Sequence, residues 1–286
     1  MILRAARMTA SAALAAGMAI AGPATPAGAA DRYLDEVFAK TVRQSAIPYD
    51  TARGAHGERI DLHLDVHRPA GDRATKRPAI VWIHGGGFRS GWRGGPVVRT
   101  AASSFARRGY VAVSIDYRLL ARRPCGGARV GPSCTVAMNA ARRDAERALT
   151  WVRRHARGLG VDPTRIAVGG FSAGAITSLL VGTRAGPRAA DVDAIVSNCG
   201  GLPTDDSIDA GDAPTIFFHG VADHLVPYER AASNHEALRA AGVRSSLVSY
   251  ERGRHCTSWW EPDPGAVLDR TARFLRGPLH LRPSDR

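Results

Sequence analysis

Lysine is almost missing from this chain. Of 39 basic residues only Lys40 and Lys76 are not arginine, and with 26 acidic residues the formal charge is +13. The arginines are scattered, many at helical spacing (Arg142, Arg143, Arg147, Arg153, Arg154, Arg157), and no nucleic-acid-binding motif accompanies them. The charge therefore reads as general arginine usage, and nucleic acid is set aside as a partner. Internal repeats and low-complexity linkers are absent, which excludes solenoids and leaves one domain. No C-x-x-C pair occurs, so the common zinc-site spacings are missing. Beyond the first thirty residues no apolar run is long enough to cross a bilayer.

Those first residues read as a leader. Arg4 and Arg7 make a positive start, Met8 to Ala21 is apolar and alanine-rich, and Ala27-Gly28-Ala29 is an A-x-A cleavage site. A signal peptide over residues 1–30, cut after Ala29 or Ala30, implies a secreted chain of net charge +11; an uncleaved anchor is the alternative. The remainder, 31–286, suits a single α/β domain with a sizeable core. In an exported protein the four cysteines are expected to pair, in one of three connectivities. Cys125 and Cys134 lie nine residues apart in one Gly/Pro-rich loop and are natural partners, which leaves Cys199 and Cys256 to each other.

Hydrophobic periodicity gives the coarse architecture. Glu58 to His67 alternates as a half-buried strand, with His63 and His67 on its polar face. Ala79–Ile83 is a continuous apolar run expected of a strand covered on both faces, Tyr110–Ile115 is another buried strand, and Ile166–Phe171, Ala194–Ser197, Thr215–Phe218 and Ser245–Tyr250 read as further strands. Between them, Val97–Arg108, Thr135–Arg157, Ala173–Gly182, Tyr228–Ala241 and Pro264–Leu275 have helical periodicity. Alternating strands and helices predict βαβ crossovers, a mostly parallel sheet and a site at the carboxyl ends of its strands.

Two glycine turns fall at such ends. The run Arg165-Ile166-Ala167-Val168-Gly169-Gly170-Phe171-Ser172-Ala173-Gly174 is a strand, a Gly-x-Ser-x-Gly pentapeptide and a helix start, the context of a nucleophile elbow. Upstream, Ala79–Ile83 runs into His84-Gly85-Gly86-Gly87-Phe88. Either motif alone also occurs in ordinary loops; in this order they are specific. Together they resemble the α/β-hydrolase superfamily and, within it, the HGGG-type carboxylesterases and lipase-like serine hydrolases, over the stretch from Tyr49 to Leu275. The resemblance implies the α/β-hydrolase fold, a mostly parallel eight-stranded sheet flanked by helices. The connection from Asn198 to Ala213 is too short for a large cap.

In that family the chain order is Ser, then Asp or Glu, then His. Ser172 is the expected nucleophile. His219-Gly220-Val221-Ala222-Asp223-His224-Leu225-Val226-Pro227 resembles the acid loop and makes Asp223 the acid, while Asp205, Asp206, Asp209 and Asp212 read as solvated turn residues. Gly253-Arg254-His255 matches the histidine loop and makes His255 the base. The N–H groups of Ala173, Gly86 and Gly87 are expected to form the oxyanion hole, with His84 organising the turn. Phe88, Trp92, Trp259 and Trp260 are placed to line a substrate pocket, or else are packing residues.

The implied activity is hydrolysis of carboxylic esters through an acyl-enzyme, with neither metal nor organic cofactor, in a cleft open enough for bulky, aryl or polymeric esters. A serine peptidase or amidase of the same fold is the alternative enzyme, and a non-catalytic binding protein on this fold the alternative of another class. Nothing in the sequence defines an oligomeric state.

Overall fold

The computed structural model describes residues 30–120, 125, 130–183 and 192–282. The expected signal peptide, up to Ala29, lies outside the described residues. Eight strands form one sheet: β1 Thr41–Arg53, β2 Arg59–Pro69, β3 Arg77–Ile83, β4 Val111–Ile115, β5 Val161–Phe171, β6 Ala194–Asn198, β7 Thr215–Gly220 and β8 Ser245–Tyr250. Their order is β1-β2-β4-β3-β5-β6-β7-β8, antiparallel at the β1–β2 and β2–β4 pairs and parallel throughout the rest. The helices are α1 Pro96–Arg107, α2 Pro132–Arg154, α3 Ala156–Leu159, α4 Ala173–Gly182, α5 Tyr228–Ala240, α6 Thr257–Trp260 and α7 Pro264–Leu275.

The apolar runs of β3 and β4 are buried on both faces, as are β6 and β7, whereas edge strand β8 is only half-buried. Every residue of β3, β4, β6 and β7 is buried. Two cores result. Val81, Val113, Val168 and Ile195 pack with α2, α4 and α5 on one face, while Trp82, Ile80, Val196 and Phe218 pack with α1 and α7 on the other. Helix starts follow local chemistry: α1, α2 and α7 open on proline in the first turn, where the missing N–H costs nothing, and Asp263 caps α7 by accepting from the Ala266 N–H at 2.9 Å.

Three readings change. β1, for which the periodicity gives no strand, pairs with β2 at the sheet edge. His67 is buried, 3 % exposed, although it alternates with apolar positions, because α1 packs against β2 on the other face of the sheet. Asp205 and Asp212 are not free turn residues: Asp205 accepts from Ser233 and Asn234 of α5, and buried Asp212 accepts from the Asp209 N–H. Among the described residues no helix is long and apolar enough to cross a membrane.

Candidate active site

Ser172 sits between β5 and α4 with φ 54° and ψ −117°. A side chain rarely accepts that backbone, and the surroundings impose it. A Cβ on Gly170 would collide with the backbone of Gly174, and one on Gly174 with the carbonyls of Ile83 and His84. Only Gly-x-Ser-x-Gly therefore lets strand, turn and helix close this tightly. The end of β6 braces the turn: the Ser172 N–H donates to Asn198 O at 2.8 Å, and Asn198 Nδ2 donates to Gly170 O at 3.0 Å. Asn198 lies outside the motif, and only the register of β5 against β6 brings it there.

His255 Nε2 lies 2.8 Å from Ser172 Oγ, and His255 Nδ1 donates to Asp223 Oδ2 at 2.7 Å. The structure thus brings together the three residues selected from sequence, from the ends of β5, β7 and β8. Asp223 is buried. Its Oδ1 accepts from the N–H groups of Leu225 and Val226 at 2.9 and 3.0 Å, and His219 Nε2 approaches Oδ2 at 3.2 Å. Burial by itself would raise the Asp223 carboxyl, but hydrogen bonds from His219 and His255, the adjacent imidazole charge and the Val226 N–H outweigh it. The carboxyl is held far below the usual carboxylate range and stays ionised opposite the imidazole. His219, read from sequence as a plain strand end, is a second partner of the acid; its Nε2 also donates to Val226 O at 2.9 Å.

The HGGG turn lies beside Ser172. It is held through its carbonyls: His84 Nδ1 donates to Gly85 O at 2.7 Å, the Arg89 and Ser90 N–H groups to Gly86 O, and Cys125 N–H to Gly87 O. Gly86 and Gly87 have φ of 115° and 62°, which a side chain would resist. His84 organises the loop, as expected, and also stacks on Tyr117, whose hydroxyl donates to His84 O at 3.0 Å. Arg93 closes the far end of the loop, its backbone N–H and guanidinium bonding Asp116 and its Nε reaching buried Asp65.

The four aromatics separate. Phe88 is fully buried and forms part of a cleft wall, and Trp92 is half exposed on the turn's loop. Trp259 and Trp260 fit the packing alternative. They are buried beneath the histidine loop, Trp259 stacked on Tyr250 at 4.6 Å and Trp260 edge-on to Phe171 at 4.6 Å, since α6 turns them inward. Cys125 pairs with Cys134 and Cys199 with Cys256, at Cα separations of 5.5 and 5.4 Å. The sulfurs of Cys199 and Cys256 and a ring nitrogen of His255 lie within 4.8 Å of one another. With the sulfurs joined to each other, that cluster lacks the free thiolates a metal requires.

A mostly parallel sheet with a serine elbow on β5, the acid after β7 and the histidine after β8 is the arrangement of an α/β-hydrolase. The fold is that of an α/β-hydrolase, and the chain is similar to carboxylesterase- and lipase-like proteins: residues 64–200 match the BD-FAE family model and residues 144–261 the Phospholipase/Carboxylesterase model. It is 30 % identical to lipase 2 of Geotrichum candidum over 71 % of this chain and 37 % of that protein. It is also 27 % identical to a secreted triacylglycerol lipase of Gibberella zeae over 83 % of this chain and 42 % of that one. The chain thus spans about two fifths of these curated relatives. A butyrate-bound esterase of Thermogutta terrifontis superposes with a TM-score of 0.66 at 27 % identity, covering 82 % of this chain and 93 % of that one.

Proposed function

We propose that the protein is a secreted serine esterase. The observation that carries this reading is the unbroken relay from Asp223 Oδ2 through His255 to Ser172 Oγ, at 2.7 and 2.8 Å, on a strained elbow beside a glycine turn. Ser172 Oγ attacks the ester carbonyl as its proton passes to His255 Nε2. The oxyanion is taken by the N–H groups of Ala173, Gly86 and Gly87, and the imidazolium is stabilised by Asp223. His255 then returns the proton to the departing alkoxide, and water repeats the sequence on the acyl-enzyme. Export fits the leader and the two disulfides, and the secreted lipase of Gibberella zeae supports it.

Ser172→Ala is expected to keep the fold, by circular dichroism and melting temperature, and to lose ester turnover by about 10⁴-fold or more. The wild type, and not this variant, is expected to bind a fluorophosphonate probe covalently. Near-normal hydrolysis of p-nitrophenyl acetate by the variant overturns the assignment. Faster cleavage of matched anilides than of esters replaces it with the amidase.

A further inference from the structure

The bridge between Cys199 and Cys256 stands directly against the histidine of the relay. Cys256 follows His255 in sequence, and Cys199 follows Asn198, which braces the nucleophile turn. Cys256 Sγ lies 3.6 Å from Asn198 O, the same carbonyl that accepts the Ser172 N–H. Among the described residues one cluster of histidine, cysteine and carboxylate groups is close enough to hold a metal ion. It consists of these two sulfurs and a ring nitrogen of His255, all within 4.8 Å of one another.

Backbone hydrogen bonds hold both cysteines in addition to the sulfur–sulfur bond. The Cys199 N–H donates to Phe218 O at 2.8 Å, which fixes that residue to β7. Cys256 O accepts the N–H groups of Trp259 and Trp260 at 3.3 and 3.0 Å, and both indoles are packed in the core. With the bridge open, the same backbone leaves two thiols facing each other beside an imidazole, their Cα atoms 5.4 Å apart. Two thiolates and one imidazole, with a fourth position open, are a donor set for a thiophilic divalent cation of the zinc class. The cysteines are buried, but the His255 side chain is 22 % exposed, so the ion enters from the side of the histidine.

We propose that the dithiol form of Cys199 and Cys256 is, with His255, a site for zinc or a similar ion, and that the closed bridge keeps this ion off the relay. Thiol–disulfide exchange with an external dithiol opens the site. Two electrons and two protons pass to the protein sulfurs while the dithiol closes to its own disulfide, and the reverse exchange reseals the bridge. The ion then displaces both thiol protons and takes a lone pair of neutral His255. Each ring nitrogen already serves the relay, Nε2 toward Ser172 and Nδ1 toward Asp223, so coordination at either one interrupts it. The resulting loss of turnover rests on the esterase reading; the binding of metal does not.

The test uses the Cys125→Ala/Cys134→Ala variant, so that only one bridge responds, reduced with dithiothreitol and desalted without oxygen. Cobalt(II) is expected to bind with a thiolate charge-transfer band in the near ultraviolet, and zinc to displace it; the oxidised protein does neither. Adding His255→Ala is expected to weaken cobalt binding by more than the roughly 10–100-fold that an outer partner of a ligand is worth. Zinc is expected to cut the p-nitrophenyl acetate turnover of the reduced protein by about 10²-fold or more, and a chelator to restore it, while the oxidised protein is unaffected. Absence of the cobalt band, or equal cobalt affinity without His255, overturns the proposal. Bound metal with unchanged turnover overturns the inhibition. Should reduction bring the melting temperature below that of the assay, zinc is expected to raise it again, because the ion joins the same ends as the bridge; no rise overturns the site. A protein that binds cobalt in this way yet hydrolyses no ester when oxidised removes the esterase reading and leaves the metal site standing.

Discussion

Asp223 is the residue around which the site is balanced. Two backbone N–H groups fill one carboxylate oxygen, and two imidazoles share the other. In the proposed mechanism His255 must rotate little and gain charge in the transition state, so an acid fixed on all sides is what keeps the ring in place. His219 contributes to that fixation while fully buried. A hydrogen bond to a charged group is worth about 1.5–3 kcal/mol, only part of which reaches the imidazolium, so His219→Ala is expected to lower kcat by roughly tenfold with KM unchanged. Steady-state kinetics on a short ester checks this, and a variant that alters KM alone contradicts the role. Ser172, His255 and Asp223 were legible in the sequence because their loops demand local glycines. His219 and Asn198 were not, because neither carries a turn signal and their partners arrive through strand register.

At the scale of elements, legibility follows how much of an element's burial is set by its own residues. β4, β6 and β7 are buried throughout, and their short apolar runs announce them. β1 is an edge strand whose outer face is wet and whose register breaks between Gln44 and Ile47 and between Pro48 and Asp50, so alternation never builds up. For Trp259 and Trp260 the sequence left pocket lining and packing open, because α6 has only four residues and packing against Tyr250 and Phe171 decides which way they face. The Cys199–Cys256 bridge acts at this scale too. It ties the end of β6, next to Asn198, to the residue after His255, across 57 residues of chain. Closing such a loop stabilises by about 2–4 kcal/mol, and here it also holds the histidine loop over the sheet. The double variant Cys199→Ala/Cys256→Ala is expected to lose both melting temperature and kcat, while Cys125→Ala/Cys134→Ala loses less turnover on acetate esters. Equal kinetics in the two double variants shows that the first bridge only stabilises.

For the whole molecule the excess of arginine becomes internal structure. Asp72 is held between Arg32 and Arg77, Asp65 between Arg43 and Arg93, and buried Asp144 against Arg118, geometries that a planar fork makes and an ammonium does not. Burial would raise the Asp65 and Asp72 carboxyls, but the Ala46 N–H with Arg93 and Arg43, and Arg32 with Arg77, hold them below their ordinary range. His67 is displaced too: burial first, then Arg43, against a smaller opposing effect of Asp65 and with Arg99 beside it, lowers it from 6.5 to about 4. Above pH 6.5 the ring is neutral folded or unfolded. Between 6.5 and 4 the unfolded chain takes a proton that the folded chain refuses, so stability falls with pH, by about 3 kcal/mol from this ring alone. Below about pH 4 the same sign holds for Asp65 and Asp72, whose unfolded forms protonate while the folded forms remain charged. Acid unfolding is therefore expected in two stages, followed by urea titration at successive pH values. His67→Gln should remove its share of the upper stage, so that wild type and variant diverge between pH 6.5 and 4 and run parallel below. Parallel curves through the upper range as well show that His67 takes its proton equally well in the folded protein, which a buried ring beside the charges of Arg43 and Arg99 does not allow.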